Sequence, residues 1–184
     1  MSDVFHHNYQ WLAQYNAWFN ARLFDACERL DDAARKQDRG AFFGSIHRSL
    51  NHLVVADQTW LKRLRQCTLD HGLEARALSP VVLDLPAGHP LDQVLFDDWQ
   101  ALRAKRLQLD TAIQDWLLEL PEDFPAWTMR YQNSKGVSRA HPLWQALTHF
   151  FNHQTHHRGQ VTTLLMQAGV DVSVTDMIAL VTPA

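Results

Sequence analysis

The chain has 184 residues, 46% hydrophobic and 20% charged, which fits one soluble globular domain over residues 1–184 with a core large enough to need no disulfides. A formal charge of -3 at pH 7 leaves no basic footprint for nucleic acid, and no run of about eighteen apolar residues offers a membrane span. The opening Met1-Ser-Asp-Val-Phe-His-His lacks the basic region and apolar run of a secretory signal, so a cytoplasmic protein is expected.

In chain order, a first helix is predicted from about Asp3 to Leu30, where Tyr9, Leu12, Ala13, Asn16, Phe19, Asn20, Leu23 and Cys27 recur at helical spacing. Asp31-Asp32 and a polar run through Gly40 end it. A second helix fits Gly44 to Cys67, with Ile46, Leu50, Leu53, Trp60, Leu61 and Leu64 on one stripe. Residues 68–90 hold Gly72, Pro80, Pro86, Gly88 and Pro90 and read as a loop. A third helix is expected from Leu91 to Leu120, marked by Leu95, Trp99, Leu102, Leu109, Ile113, Trp116 and Leu117, and broken by Pro121 and Pro125.

The stretch from Trp127 to Arg139 alternates around Asn133-Ser-Lys-Gly136, which predicts a small β-hairpin stable only if packed on something larger. Pro142 suits the first turn of a fourth helix running to about Ala168, with Gly169 as its C-terminal stop. A short final helix is expected near Thr175 to Val181. Four long amphipathic segments without a repeated strand pattern imply an all-α four-helix bundle, and the lengths of the 68–90 and 121–140 connections imply at least one crossover. Cys27 and Cys67 sit singly in apolar patterns and read as core residues, not nucleophiles. Core packing is likewise expected for most of Trp11, Trp18, Trp60, Trp99, Trp116 and Trp144.

Chemistry concentrates in the fourth helix, where His149, His153, His156 and His157 place four of eleven histidines within nine residues. A helix turns about 100° per residue, so Leu143, Leu147, Phe150, Val161, Leu164, Leu165 and Ala168 define an inward direction. His157 lies within about 50° of it and His153 within about 90°, whereas His149 and His156 fall beyond about 120°. An inward pair at i and i+4 needs partners for its ring nitrogens, and a metal ion is the expected one. A catalytic site commonly has three protein ligands and one open position, so a third is sought on another helix. The second helix offers His47 and His52. Periodicity does not separate them cleanly, although Ser49 and Ala56 would leave room beside His52.

Asp57 occupies the centre of the second helix's apolar stripe, where a carboxylate must be paired or hydrogen-bonded. It reads equally as a group supporting the metal, or a base beside it, and as a structural partner of a tryptophan N–H, of Arg158 or of a helix terminus. Gly159, inside the fourth helix beside Arg158, predicts close approach of another helix.

The residues Ser45-Ile-x-x-Ser-Leu-Asn-His52-x-x-x-x-Asp57-x-x-Trp60, the Tyr131-Gln-Asn-Ser-Lys-Gly136 hairpin and His149-x-x-Asn-His153-x-x-His156-His157-Arg-Gly-Gln160 together resemble the DinB family. That resemblance spans nearly the whole chain. It implies a DinB/YfiT-like bundle with a site for a divalent metal, nickel or zinc, on His52, His153 and His157, and frequent homodimers. It also implies kinship with mycothiol- and bacillithiol-dependent enzymes, in which a metal activates a low-molecular-weight thiol.

Two other metalloenzyme designs are excluded by residue type. A zincin helix needs His-Glu-x-x-His, but Gln154 follows His153. Ferritin-like sites need Glu-x-x-His, but Ser49, Phe150 and Gln154 stand three before His52, His153 and His157. The remaining expectations are a metal-dependent transferase or hydrolase, or a metal-binding stress-response protein or dimeric scaffold without turnover.

Overall fold

The computed structural model describes residues 2–181. Its long helices are α1 (Ser2–Cys27), α3 (Ile46–Asp70), α4 (Trp99–Glu119) and α5 (Leu143–Gln167), with a short α2 (Asp32–Lys36) after α1. The closest helix pairs are α1–α4, α1–α5, α3–α4 and α3–α5. Around the bundle the order is therefore α1, α4, α3, α5. The connections 28–45 and 120–142 join helices on opposite corners, while 71–98 joins neighbours. Of the two long connections expected to hold at least one crossover, the one after α4 is a crossover; a second, outside that expectation, follows α1 and carries α2.

Local chemistry explains most boundaries. Ser45 caps α3 by accepting from the Arg48 N–H at 3.2 Å, and Asp98 caps α4 by accepting from the Ala101 N–H at 2.8 Å. At the end of α5, Gly169 adopts φ +80°. Its N–H donates to the Met166 carbonyl and that of Val170 to the Leu165 carbonyl, a Schellman closure with Val170 and Leu165 both buried.

The expected third helix from Leu91 is corrected to begin at Trp99. Buried side chains of α3 capture the backbone before it. The Asn51 carbonyl oxygen accepts from the N–H groups of Leu95 and Phe96 at 3.0 and 2.8 Å, and its amide donates to the Phe96 carbonyl at 3.0 Å. His47 and His52 bond the carbonyls of Phe96 and Leu91. Those contacts replace the helical ladder, and Leu91 and Leu95 mimicked helical spacing inside a loop.

Strands β1 (Thr128–Gln132) and β2 (Ser138–Pro142) form the antiparallel hairpin, with Thr128 opposite Pro142 and Gln132 opposite Ser138. The Asn133 side chain accepts from the N–H groups of Lys135 and Val137, and Gly136 takes φ +72° in the turn. Met129, fully buried, ties the ribbon to the core. The expected final helix is a single 3₁₀ turn, Met177–Leu180. Among the described residues no helix is long and apolar enough to cross a membrane.

Both cysteines are free and buried, and burial pushes the thiols up to about 12 at Cys27 and about 11 at Cys67. Neither serves as a thiolate nucleophile at neutral pH. The tryptophan expectation, core packing for most of the six, holds. Trp99 and Trp116 are buried and Trp18 and Trp60 pack partly against the core, but Trp144 is exposed.

Across the bundle centre runs a polar layer drawn from all four long helices. Asp57 of α3 pairs with Arg106 of α4 at 2.5 Å, and Arg106 reaches Asp110 at 2.8 Å. Asn16 and Asn20 of α1 donate to Asp110 at 3.0 and 2.9 Å. Arg158 of α5 donates to the Asn16 side-chain oxygen at 2.6 Å and lies over the rings of Tyr15 and Phe19. Arg106 thus pairs with both aspartates, and Arg158 joins them through Asn16, where an unpaired charge would be prohibitive. Burial raises the Asp57 carboxyl despite Arg106, and moves Asp110 up to about 6.

Gly159 does not mark a close approach. It is exposed, and a Cβ built there meets nothing within 4 Å.

Candidate metal centre

His52 projects from the middle of α3, and His153 and His157 project one turn apart from α5, the helix packed beside it. The three offer ring nitrogens that all lie within 4.8 Å of one another. The Nε2 atoms of His153 and His157 are 3.0 Å apart. The His52 ring lies edge-on to His157 at 4.6 Å between centroids and is stacked against Phe43 at 4.0 Å.

Outer contacts fix the tautomers. His52 Nδ1 donates to the Leu91 carbonyl and His157 Nδ1 donates to the Gln160 side-chain oxygen, each at 2.8 Å. A carbonyl oxygen only accepts, so each Nδ1 carries the proton and each Nε2 presents a bare lone pair. Such an N–H to carbonyl contact is the arrangement that orients metal-ligating histidines. Desolvation by burial lowers all three imidazole pKa values, that of His153 to about 3, where His157 and His52 add to the effect. The group is neutral at pH 7, the protonation state that binds metal.

The other candidates fall elsewhere. His47 is buried but spends its Nε2 on the Phe96 carbonyl. His156 is exposed, with its Nε2 3.3 Å from the Gln160 amide nitrogen. His149 is exposed and rests against Trp60, with ring centroids 4.8 Å apart and 5.8 Å from His153. Asp57, five residues past His52, turns away into the polar layer, where Arg106 and the neighbouring Gln154 favour its ionised form. Arg158 lies in that layer too.

Sequence reasoning quotes Gln160 and Asn51 within motifs without giving either a role, and it passes over Phe43. Gln160 stands three residues after His157, a spacing that places it on the same helix face and could have identified it. The Leu91 carbonyl and Phe43 come from loops whose approach to His52 has no local signal.

His52 and His153 border a cleft of ≈ 690 Å³ between α3, the 85–91 loop and the tip of the hairpin, with Trp60, Arg63, Tyr131 and His149 along its wall. That volume accommodates a small molecule beside the three imidazoles.

The chain is 27% identical over 168 residues to Protein DinB of Bacillus subtilis (strain 168), a match spanning 90% of this chain and 88% of that one. No solved structure matches it. The family model described as "DinB family" matches residues 1–184, and the chain belongs to that family.

Proposed function

We propose that this protein holds one divalent metal ion on His52, His153 and His157 and acts as a metal-dependent transferase or hydrolase on a small molecule bound in the adjoining cleft. The observation that carries the reading is the convergence of three neutral imidazoles, two of them braced from outside by Leu91 and Gln160, beside that cleft. Nitrogens sharing an ion at about 2.1 Å stand roughly 3–3.5 Å apart, the spacing of the His153–His157 pair. Three imidazoles suit zinc or nickel, and leave a position for a fourth ligand.

When bound, the ion supplies Lewis acidity that lowers the pKa of a thiol or water and so provides a nucleophile at neutral pH. The protein's own groups divide the remaining work. Leu91 and Gln160 hold His52 and His157 in the ligating tautomer. Phe43 covers one face of His52 and limits water. Asp57, paired with Arg106, is assigned to holding the bundle together and not to proton transfer. His149, in the cleft wall with a pKa lowered by desolvation and by Arg63, is the imidazole assigned to moving a proton.

Elemental analysis of purified protein tests the centre. About one equivalent of zinc or nickel, lost in His153→Ala, supports it; no stoichiometric metal in the native protein overturns it. One observation favours a second reading, metal binding without turnover: among the described residues no carboxylate lines the cleft. Incubation with cysteine, glutathione, bacillithiol or mycothiol and an electrophile separates the two. Metal-dependent conjugation supports the enzyme, and its absence across that panel favours binding alone.

A further inference from the structure

The cleft beside the histidine group has a charge bias unlike that of the whole chain. The protein carries 20 acidic against 17 basic side chains. Yet Lys62 and Arg63 line the cleft, and among the described residues no aspartate or glutamate does. A concave surface with one sign of charge and no internal counter-charge concentrates ligands of the opposite sign.

Arg63 is the group that makes this bias specific. Its guanidinium carbon lies 4.8 Å from the ring centre of Trp60 and 4.8 Å from that of Tyr131. The two rings meet edge to face at 5.6 Å, so α3 and the hairpin each supply one jaw of an aromatic clamp. Stacking orients the planar fork without consuming its N–H donors. Among the described residues no carboxylate pairs with it, whereas Arg103, a half-buried arginine of α4, is paired with both Asp25 and Glu28.

From Arg63 the wall continues through Trp60 to His149, 4.8 Å between rings, and from His149 to His153, 5.8 Å. A ligand gripped at Arg63 therefore has an aromatic surface to lie against and the histidine group at its far end.

We propose that the cleft takes a small organic anion, a carboxylate or phosphate group on an apolar or aromatic body, with Arg63 anchoring the anionic group by its free N–H fork and Trp60 and Tyr131 holding both. The anchor aims the opposite end of the molecule at His52 and His153. That orientation rests on the metal-centre reading; the anion site itself does not. Arginine presents parallel donors that match either oxyanion, and such charge-assisted pairs are about twice as strong as neutral ones.

The test is calorimetric titration with benzoate, phenyl phosphate and the neutral benzamide, on protein stripped of metal by chelation and again on zinc-loaded protein. Both anions, or one of them, are expected to bind at least about tenfold more tightly than benzamide in the metal-free form, and the better one identifies the natural group. Arg63→Met, checked for an unchanged thermal midpoint, is expected to abolish that preference, and Arg63→Lys to retain part of it. The Arg63 Nε–H resonance is expected to shift on adding the anion. Equal binding of benzoate, phenyl phosphate and benzamide overturns the proposal, as does an anion preference that survives Arg63→Met. Because the first titration uses no metal, a protein that fails to hold zinc but passes it retains the anion site. One that holds zinc with no anion preference retains only the metal centre.

Discussion

His153 and His157 place their Nε2 atoms 3.0 Å apart on consecutive turns of α5, with the opposite nitrogen of His157 committed to Gln160. Two neutral imidazole nitrogens this close need a proton or a cation between them. The position of that shared nitrogen pair, facing His52 from the next helix, is the basis for the predictions about metal.

Gln160 is expected to tune the centre without belonging to it. Gln160→Ala removes the acceptor that orients His157, and contacts of this kind are worth roughly 10- to 100-fold in metal affinity. Competition with a chromophoric chelator reads the change. His149→Ala and His156→Ala are expected to leave the stoichiometry intact, and loss of the ion in either as complete as in His157→Ala would show that the ligand set is misassigned.

Acid should weaken the metal-free protein through the histidines. His153 has its pKa lowered from 6.5 to about 3 in the folded state. Between those values the unfolded chain binds a proton that the folded chain refuses, so this contribution is present above pH 6.5 and lost as pH falls toward 3. Each pH unit in that window costs at most about 1.4 kcal/mol for one group. Urea unfolding at pH 7.5, 6.0 and 5.0 should show a steeper loss in the native protein than in His153→Gln. Taking that difference removes the opposite trend of Asp110, whose raised pKa loses stability as pH rises toward 6. Parallel curves would refute it.

Arg106 should prove costly to remove. It faces Asp57 and Asp110, all three almost completely buried. Arg106→Met leaves two carboxylates without their cation, and breaking a buried pair in this way costs about 3–5 kcal/mol. Chemical denaturation measures it. A loss below about 1 kcal/mol would mean the layer is hydrated or protonated.

Gly159 offers the reverse. It sits mid-helix with ordinary φ, exposed, and with open space at the Cβ position. Gly159→Ala is expected to stabilise the protein by about 0.5–1 kcal/mol, because glycine in a helix interior costs that much backbone entropy. A rise in thermal midpoint with unchanged metal content is the expected result; a fall would point to a partner molecule closing on that face.

Much of this protein was legible in its residues because helical periodicity is a local property. The stripe of α5 pointed His153 and His157 inward and His149 and His156 outward, and Gly169 and the Asn133 turn marked boundaries found where their chemistry requires them. Asp57 was legible as a buried carboxylate in need of a partner, but that partner, Arg106, lies 49 residues away. Asn16 and Asn20 stood on the apolar stripe of α1 with nothing nearby to explain them until Asp110 was set opposite.

Contacts between distant segments decided the rest. Periodicity left His47 and His52 open, and the tertiary structure separates them by giving the His47 Nε2 to Phe96 while the His52 Nδ1 goes to Leu91, leaving its Nε2 for the group on α5. Asn51 unwinds the expected start of α4, and the hairpin brings Tyr131 against Arg63 to complete a clamp that neither segment encodes alone. A pattern within one helix reports which way a side chain faces. Only packing reports what it meets there, since partners many residues apart are brought together by the burial of the whole core.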